Sequence, residues 1–214
     1  MATQLRYKQI TDLLTGWYPF TPACTYASAT TFTITGDYTS VLSPGMKLKL
    51  TNSTLKYFYV VSASYGAPNT TVTITGGTSY TLANAAITGV YLSRISNPQG
   101  FPQWFNWTPT ITYAGGTTDP TSNTINHARF SIVGRIVYFY INSTVVRGSG
   151  DRVETQYTVP VTRADTKTIQ FAGSNFVTST VYVTPYANTT TIIKYGHNTM
   201  TASGDLTLTG FYEI

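Results

Sequence analysis

The sequence predicts an all-β protein: a small N-terminal β-barrel followed by a C-terminal β-sandwich of the jelly-roll type, with a short N-terminal helix. Charged residues make up only 10% of the 214 residues, whereas aromatic residues reach 14%. Threonine accounts for about a fifth of the chain, and Thr, Tyr, Val, Ile and Phe fit a pleated, half-buried surface. Short runs that alternate apolar and polar residues recur along most of the length, separated by turn residues.

Residues 1–16 are predicted to form the short helix. The apolar residues near one face of a 3.6-residue period are Leu5, Ile10, Leu13 and Leu14. Gly16 is placed to end the helix. A helix this short is marginal by itself, so it is expected to dock either on its own domain or on a neighbouring chain.

Residues 17–96 are predicted to be the small β-barrel, an anchoring domain. Apolar and polar side chains alternate over residues 30–35, 46–51 and 71–75, and residues 55–61 form a dense aromatic and β-branched run. Glycine, proline and asparagine turn signals separate these runs. About five or six short strands in a segment of this length suit a small barrel.

Residues 97–109 are predicted to be a linker, because three prolines and one glycine interrupt regular structure. The linker also carries a dense set of aromatic residues: Phe101, Trp104, Phe105 and Trp107. Each large apolar side chain left in water forgoes about 1.5–3 kcal/mol. The linker is therefore expected to be clamped between the two domains or against another subunit, with a sugar-stacking platform as a third alternative.

Residues 110–214 are predicted to form the jelly-roll-like sandwich. In the long strand at residues 135–146, Val137, Phe139 and Ile141 oppose Tyr138 and Tyr140. The other predicted strands are residues 110–113, 125–133, 156–159, 168–171, 176–183, 190–194 and 206–214. About eight strands of such length are typical of a jelly roll.

The charge and cysteine content exclude several classes of protein. The net charge is +5, from 13 basic and 8 acidic residues, but the basic residues are scattered, whereas nucleic-acid-binding faces cluster them. No nucleic-acid partner is expected. Cys24 is the sole cysteine, and its neighbours supply no base or charge to activate it. No signal peptide and no apolar run of about 18 residues are found, so no membrane span is expected.

The sequence also predicts a protein that is not an enzyme and that binds no cofactor or metal. Asp151 and Glu154 are the closest pair of carboxylates that glycoside hydrolysis could use, and they lie beside a glycine-rich turn typical of a solvated loop. His127 and His197 have no partner at metal-ligand spacing. The nucleophile, P-loop and dinucleotide motifs are missing from the sequence.

Two stretches of the chain resemble structural proteins of tailed bacteriophages. The first stretch resembles the N-terminal β-domain of minor virion proteins and comprises residues 17, 26–34, 45–51, 56–61 and 75–82. The second stretch comprises residues 97–102, 104–110 and 128–139. It resembles the start of the β-domain in the heads of fibre and tail-tip proteins, which are often trimeric jelly rolls. This resemblance lies in the pattern of residue types along the strands and includes no catalytic motif.

The resemblance implies a virion component, synthesised in the host cytoplasm, at a tail tip, a fibre or the capsid surface. It implies a homotrimer that contacts other tail or capsid proteins through its N-terminal part, with the C-terminal domain outward. The expected interface residues are the helix residues Leu5, Ile10 and Leu13 and the four linker aromatics. The alternative is a receptor-binding protein that recognises a host surface glycan, through loops at residues 148–152 or 188–191. A depolymerase would need further carboxylates.

Overall fold

The computed structural model of the protein describes residues 14–146, 148–149, 154–162, 169–175, 192–196 and 203–214. These residues form fifteen β-strands, which confirms the all-β prediction. The chain divides into two compact units, Met1–Gln103 and Trp104–Ile214, called here the N-terminal and C-terminal units. The division falls inside the segment predicted as the linker, residues 97–109.

The N-terminal unit contains one antiparallel sheet. Its strands are β1 (Tyr18–Pro19), β2 (Cys24–Ser28), β3 (Thr31–Thr35), β4 (Lys47–Asn52), β5 (Thr54–Gly66), β6 (Asn69–Thr75) and β7 (Thr88–Ser93). They lie side by side in the order β1-β7-β4-β5-β6-β3-β2. The core lies on one face of the sheet because apolar residues alternate along each strand, and its buried residues include Phe32, Ile34, Leu48, Leu50, Phe58, Val60, Val72 and Ile74.

The predicted closed barrel is not observed. Within the described residues the sheet is open, although an isolated bridge joins Cys24 of β2 to Ile87, just before β7. Strand alternation is the same in an open sheet and in a barrel, so the sequence pattern could not distinguish the two. Leu14 and Thr15 have helical backbone, followed by Gly16 with a φ of 72°. The rest of the predicted helix, residues 1–13, lies outside the described residues.

Gly76 lies in a turn where the chain passes close to its own backbone. A Cβ atom at this position would lie 2.7 Å from Cβ of Tyr80 and 2.9 Å from the Tyr80 carbonyl oxygen. We expect Gly76→Ala to lower the free energy of unfolding by about 1–3 kcal/mol, as overpacking does. Thermal unfolding of the full chain measures this. Gly66→Ala is the control, because a Cβ there meets nothing within 4 Å. Equal melting temperatures for the two variants would contradict the prediction.

The C-terminal unit contains two antiparallel sheets. Its strands are β8 (Phe105–Asn106), β9 (Ile111–Ala114), β10 (Ser122–Val133), β11 (Ile136–Val146), β12 (Glu154–Thr158), β13 (Ile169–Asn175), β14 (Ile192–Gly196) and β15 (Gly204–Glu213). The larger sheet has the order β13-β15-β11-β10-β8, and the smaller sheet has the order β14-β12-β9. The predicted strand at residues 176–183 lies outside the described residues.

The two sheets of the C-terminal unit are joined through buried tyrosines, as in a β-sandwich. Tyr157 of β12 is fully buried, and its hydroxyl lies 3.1 Å from Oγ of Ser143 on β11. Tyr212 of β15 donates a hydrogen bond of 2.8 Å to the carbonyl of Val161, just after β12. Buried hydroxyls need such partners, because an unpaired one costs about 1–3 kcal/mol. The inner face of the larger sheet is otherwise apolar, with Phe139 among its buried residues.

Among the residues that the structure describes, none forms a helix with the length and hydrophobicity that crossing a bilayer requires.

Candidate functional site

The first linker aromatic, Phe101, is buried within the N-terminal unit. Its ring centroid lies 6.0 Å from that of Trp17, 5.9 Å from that of Tyr57 and 5.0 Å from that of Tyr59. These four residues, Trp17, Tyr57, Tyr59 and Phe101, are called here the anchor cluster. Nε1 of Trp17 also donates a hydrogen bond of 2.8 Å to the carbonyl of Gln99. The first half of the predicted linker is therefore part of the N-terminal unit.

Two lysines of β4 contact the anchor cluster on the sheet face opposite the apolar core. Nζ of Lys47 lies 5.7 Å from the ring centroid of Tyr59 and 5.6 Å from that of Phe101. Nζ of Lys49 lies 4.8 Å from the ring of Trp17. Such cation–π contacts contribute about 0.5–2 kcal/mol each. Burial lowers the pKa of Lys47, because desolvation disfavours the ammonium form. We assign this arrangement a structural role.

The linker aromatics Phe105 and Trp107 are buried within the C-terminal unit. Their ring centroids lie 6.0 Å and 6.3 Å from that of Phe130 on β10. Nε1 of Trp107 donates a hydrogen bond of 3.2 Å to the carbonyl of Thr158. Three of the four linker aromatics thus pack inside the unit to which they belong. Their predicted role at a subunit interface stays a prediction.

Trp104, the fourth linker aromatic, remains 43% exposed. Its ring lies 5.0 Å from Cζ of Arg129 on β10, and the same guanidinium carbon lies 5.2 Å from the ring of Tyr140 on β11. Beside them, the rings of Tyr138 and Phe211 lie 5.9 Å apart, and both side chains are more than 40% exposed. We call these five residues, Trp104, Arg129, Tyr138, Tyr140 and Phe211, the aromatic strip.

The strand register brings the aromatic strip together. Arg129 lies opposite Tyr140 in the β10–β11 ladder, and Tyr138 lies opposite Phe211 in the β11–β15 ladder. Residues 129, 138, 140 and 211 point to the outer face because the residues between them are buried. Adjacent strands lie about 4.8 Å apart, so the strip extends about 14 Å from β15 across β11 and β10 to Trp104, just before β8.

A group of neutral and acidic hydrogen-bonding side chains continues the same outer face. Nδ2 of Asn126 donates to Oδ1 of Asn142 at 2.9 Å, and Nδ2 of Asn142 donates to Oγ1 of Thr207 at 3.0 Å. Oγ1 of Thr144 donates to Oδ1 of Asp205 at 2.6 Å. The face therefore has an aromatic end and a hydroxyl- and amide-rich end, which together suit a ligand with flat apolar faces and many hydroxyl groups.

Comparisons with protein-family models, with curated proteins and with solved structures find no match to this chain. A proposal of function therefore depends on the residues of the chain itself. In this respect the aromatic strip is the most informative surface, since exposed apolar patches on a folded unit indicate interaction sites.

The residues considered for catalysis do not converge in the described part of the chain. Glu154 accepts a hydrogen bond from Nε2 of Gln156, and His127 is exposed on β10. Among the described residues, no group of three or more His, Cys, Asp or Glu could hold a metal ion. Asp151 and His197, weighed for catalysis or metal binding, lie outside the described residues, and so do the interface candidates Leu5, Ile10 and Leu13.

The N-terminal unit also has an apolar pocket of about 370 Å³. Its lining residues are Tyr18, Val41, Met46, Leu92, Ser93, Arg94 and Ile95. Tyr18 and Ile95 are each more than 40% exposed. The guanidinium of Arg94 donates a hydrogen bond of 3.1 Å to the carbonyl of Val41 at its rim.

Cys24 is expected to react slowly with thiol reagents. Burial raises its pKa to about 11 from the ordinary value of 9.0, so about 100-fold less thiolate is present at pH 7 than in the unfolded chain. Because the thiolate is the nucleophile, the labelling rate of the folded protein should rise about tenfold per pH unit towards pH 11. Iodoacetamide labelling, with and without denaturant, measures this, and Cys24→Ser gives the background. Equal rates in the folded and unfolded chain at pH 7 would contradict the prediction.

The sequence predicts only part of the aromatic strip. Trp104 was identified, with sugar stacking as one of three alternatives, and the outward alternation of Tyr138 and Tyr140 was visible in the pattern. Arg129 and Phe211 carry no local signal, because their place beside the tyrosines follows from strand pairing. The loops at residues 148–152 and 188–191, expected to bind a glycan, lie largely outside the described residues.

Proposed function

We propose that this protein is a non-enzymatic structural component of a bacteriophage virion, at a tail tip, a fibre or the capsid surface. The N-terminal unit anchors it to other tail or capsid proteins, and the C-terminal unit points outward. The proposal includes a homotrimer with a jelly-roll-type head, as the sequence resemblance implies.

The observation that carries this proposal is the contrast between the two units. The N-terminal unit covers its Trp17 and Phe101 rings internally and has an apolar pocket that an assembly could cover. The N-terminal unit also exposes Tyr18 and Tyr65. The C-terminal unit differs because it gathers Trp104, Tyr138 and Phe211 on one sheet face. Together with the resemblance to phage structural proteins, this contrast supports an inner anchoring unit and an outer contacting unit.

Two measurements test this proposal. The mass of the purified chain by light scattering should be near three times 23.4 kDa, and a mass near one chain would remove the trimer. Antibodies against the chain should also label virus particles from cells that express it in its native gene context. Particles that lack the chain by mass spectrometry would overturn the virion assignment.

A second candidate function is recognition of a host surface glycan by the C-terminal unit. The aromatic strip favours it, because aromatic rings with one apolar face and a polar edge stack on sugar rings while their polar groups bond to hydroxyls. The strip lies beside the Asn142 and Thr207 side chains, which offer further hydrogen-bonding groups. This function is compatible with a place at the tip of a virion appendage.

A further inference from the structure

The aromatic strip contains one positive charge without a compensating negative charge. In the described part of the chain, the side chain of Arg129 lies against the rings of Trp104 and Tyr140 and makes no ion pair with a carboxylate. Two described acidic residues of β15 lie near the same face, and both are engaged elsewhere. Asp205 accepts a hydrogen bond from Thr144, and Oε1 of Glu213 pairs with Nε of Arg135 at 3.0 Å.

We propose that the aromatic strip binds an acidic polysaccharide, with its sugar rings stacked on Trp104 and Tyr140 and a sugar carboxylate held by Arg129. This inference rests on the second candidate function, glycan recognition, and deepens it by naming the charge of the ligand. The guanidinium of Arg129 supplies the complementary positive charge for such a carboxylate.

The ring contacts of Arg129 with Trp104 and Tyr140 suit it for binding a sugar carboxylate. A guanidinium that lies against aromatic faces keeps its N–H groups directed outward at its edge. A carboxylate accepts two of these groups in parallel, which gives a stronger and more directional bond than a lysine ammonium gives. Because the ring contacts already restrict the arginine side chain, less conformational entropy is lost when the ligand binds.

The surroundings of Arg129 favour a glycan over a nucleic acid. A nucleic-acid-binding face clusters several Lys and Arg residues along the phosphate backbone, whereas the strip supplies one cation. Its described neighbours on the sheet face include neutral amide and hydroxyl groups, among them Asn142 and Thr207. Trp104 also carries an indole N–H and Tyr140 a hydroxyl, which are further hydrogen-bonding groups for sugar hydroxyls.

The test measures binding of the full-length protein to three uronic-acid polymers, polygalacturonate, alginate and hyaluronate. Each polymer is compared with its own carboxyl-reduced product, which has the same linkage and no charge. We expect at least one acidic polymer to bind, and its reduced product to bind at least about tenfold more weakly, because the charge-assisted bonds to Arg129 are lost.

Two variants connect that difference to the strip. Arg129→Gln should abolish the preference for the acidic polymer, and Trp104→Ala should weaken binding of both the acidic and the reduced polymer. Lys56→Gln is the control, because it removes one positive charge from the N-terminal unit outside both the apolar pocket and the aromatic strip, and it should leave binding unchanged. Both strip side chains are exposed, so circular dichroism and thermal unfolding should show that the variants fold.

The alternative outcomes separate the inference from the function on which it rests. If acidic and reduced polymers bind equally well, glycan recognition stands and the role of Arg129 is wrong. If none of the polymers binds, both glycan recognition and the acidic ligand are wrong for this surface. If a single-stranded DNA oligonucleotide displaces the acidic polymer at lower concentration and loses affinity in Arg129→Gln, the ligand is a nucleic acid.

Discussion

Phe101→Ala is expected to lower the free energy of unfolding of the N-terminal unit by about 3–5 kcal/mol, the usual cost of removing a buried phenylalanine. Phe101 is 5% exposed and contacts three other aromatic rings of the anchor cluster. Its removal leaves a cavity under residues 97–103 and uncovers the ring of Trp17. Each lost aromatic pair adds about 0.5–1.5 kcal/mol to the loss of buried area.

Cys24 provides the measurement for this variant, because the only cysteine of the chain lies in β2 of the same unit. Denaturant unfolding is followed by pulse labelling of its thiol, and the transition should move to lower denaturant in Phe101→Ala. Tyr65→Ala is the matched control, since Tyr65 is an aromatic residue of β5 that is 46% exposed. An unshifted transition in Phe101→Ala would show that residues 97–103 do not stabilise this unit.

Phe130→Ala is expected to destabilise the C-terminal unit by a similar amount, about 3–5 kcal/mol. Phe130 has no exposed surface, and its ring lies beside those of Phe105 and Trp107. The substitution therefore leaves a cavity where the strand β10 meets the chain that enters the unit. The N-terminal unit should keep its stability, because its core consists of other residues.

Hydrogen exchange read by mass spectrometry measures the second effect. Amides of β11, which pairs with β10 along its length, should lose protection in Phe130→Ala, whereas amides of β4 and β5 should keep theirs. Val133→Ala is the control on the same strand, because Val133 is mostly exposed. Loss of protection in both units would contradict the independence of their cores.

Local patterns predicted the strands better than their arrangement. The alternation of Val137, Phe139 and Ile141 against Tyr138 and Tyr140 predicted both the strand β11 and its two faces, because side-chain direction alternates residue by residue. The open sheet of the N-terminal unit could not be predicted in this way. A sheet closes into a barrel only when its two edge strands pair with each other, and the sequence of a single strand does not show whether they do.

The candidate site was predictable only in part for a similar reason. Trp104 and Phe211 stand far apart in the sequence, and the face on which both lie is built by three successive strand pairings. The cost of exposed aromatics predicted that linker rings are buried, but it did not predict that Phe101, Phe105 and Trp107 each pack inside a single unit. Phe101 packs in the N-terminal unit and Phe105 packs in the C-terminal unit. The predicted linker therefore contributes side chains to two cores.

The division between Gln103 and Trp104 has a consequence for the exchange of gene segments. A crossover at residue 96 or 110, at either end of the predicted linker, would separate Phe101 from the anchor cluster or Trp107 from Phe130. A crossover at codons 103 and 104 would leave both sets of aromatic contacts complete. In chimaeras that replace one of the two units, the crossover therefore has to lie close to residues 103 and 104. The other positions of the proline-rich segment 97–109 do not serve equally well.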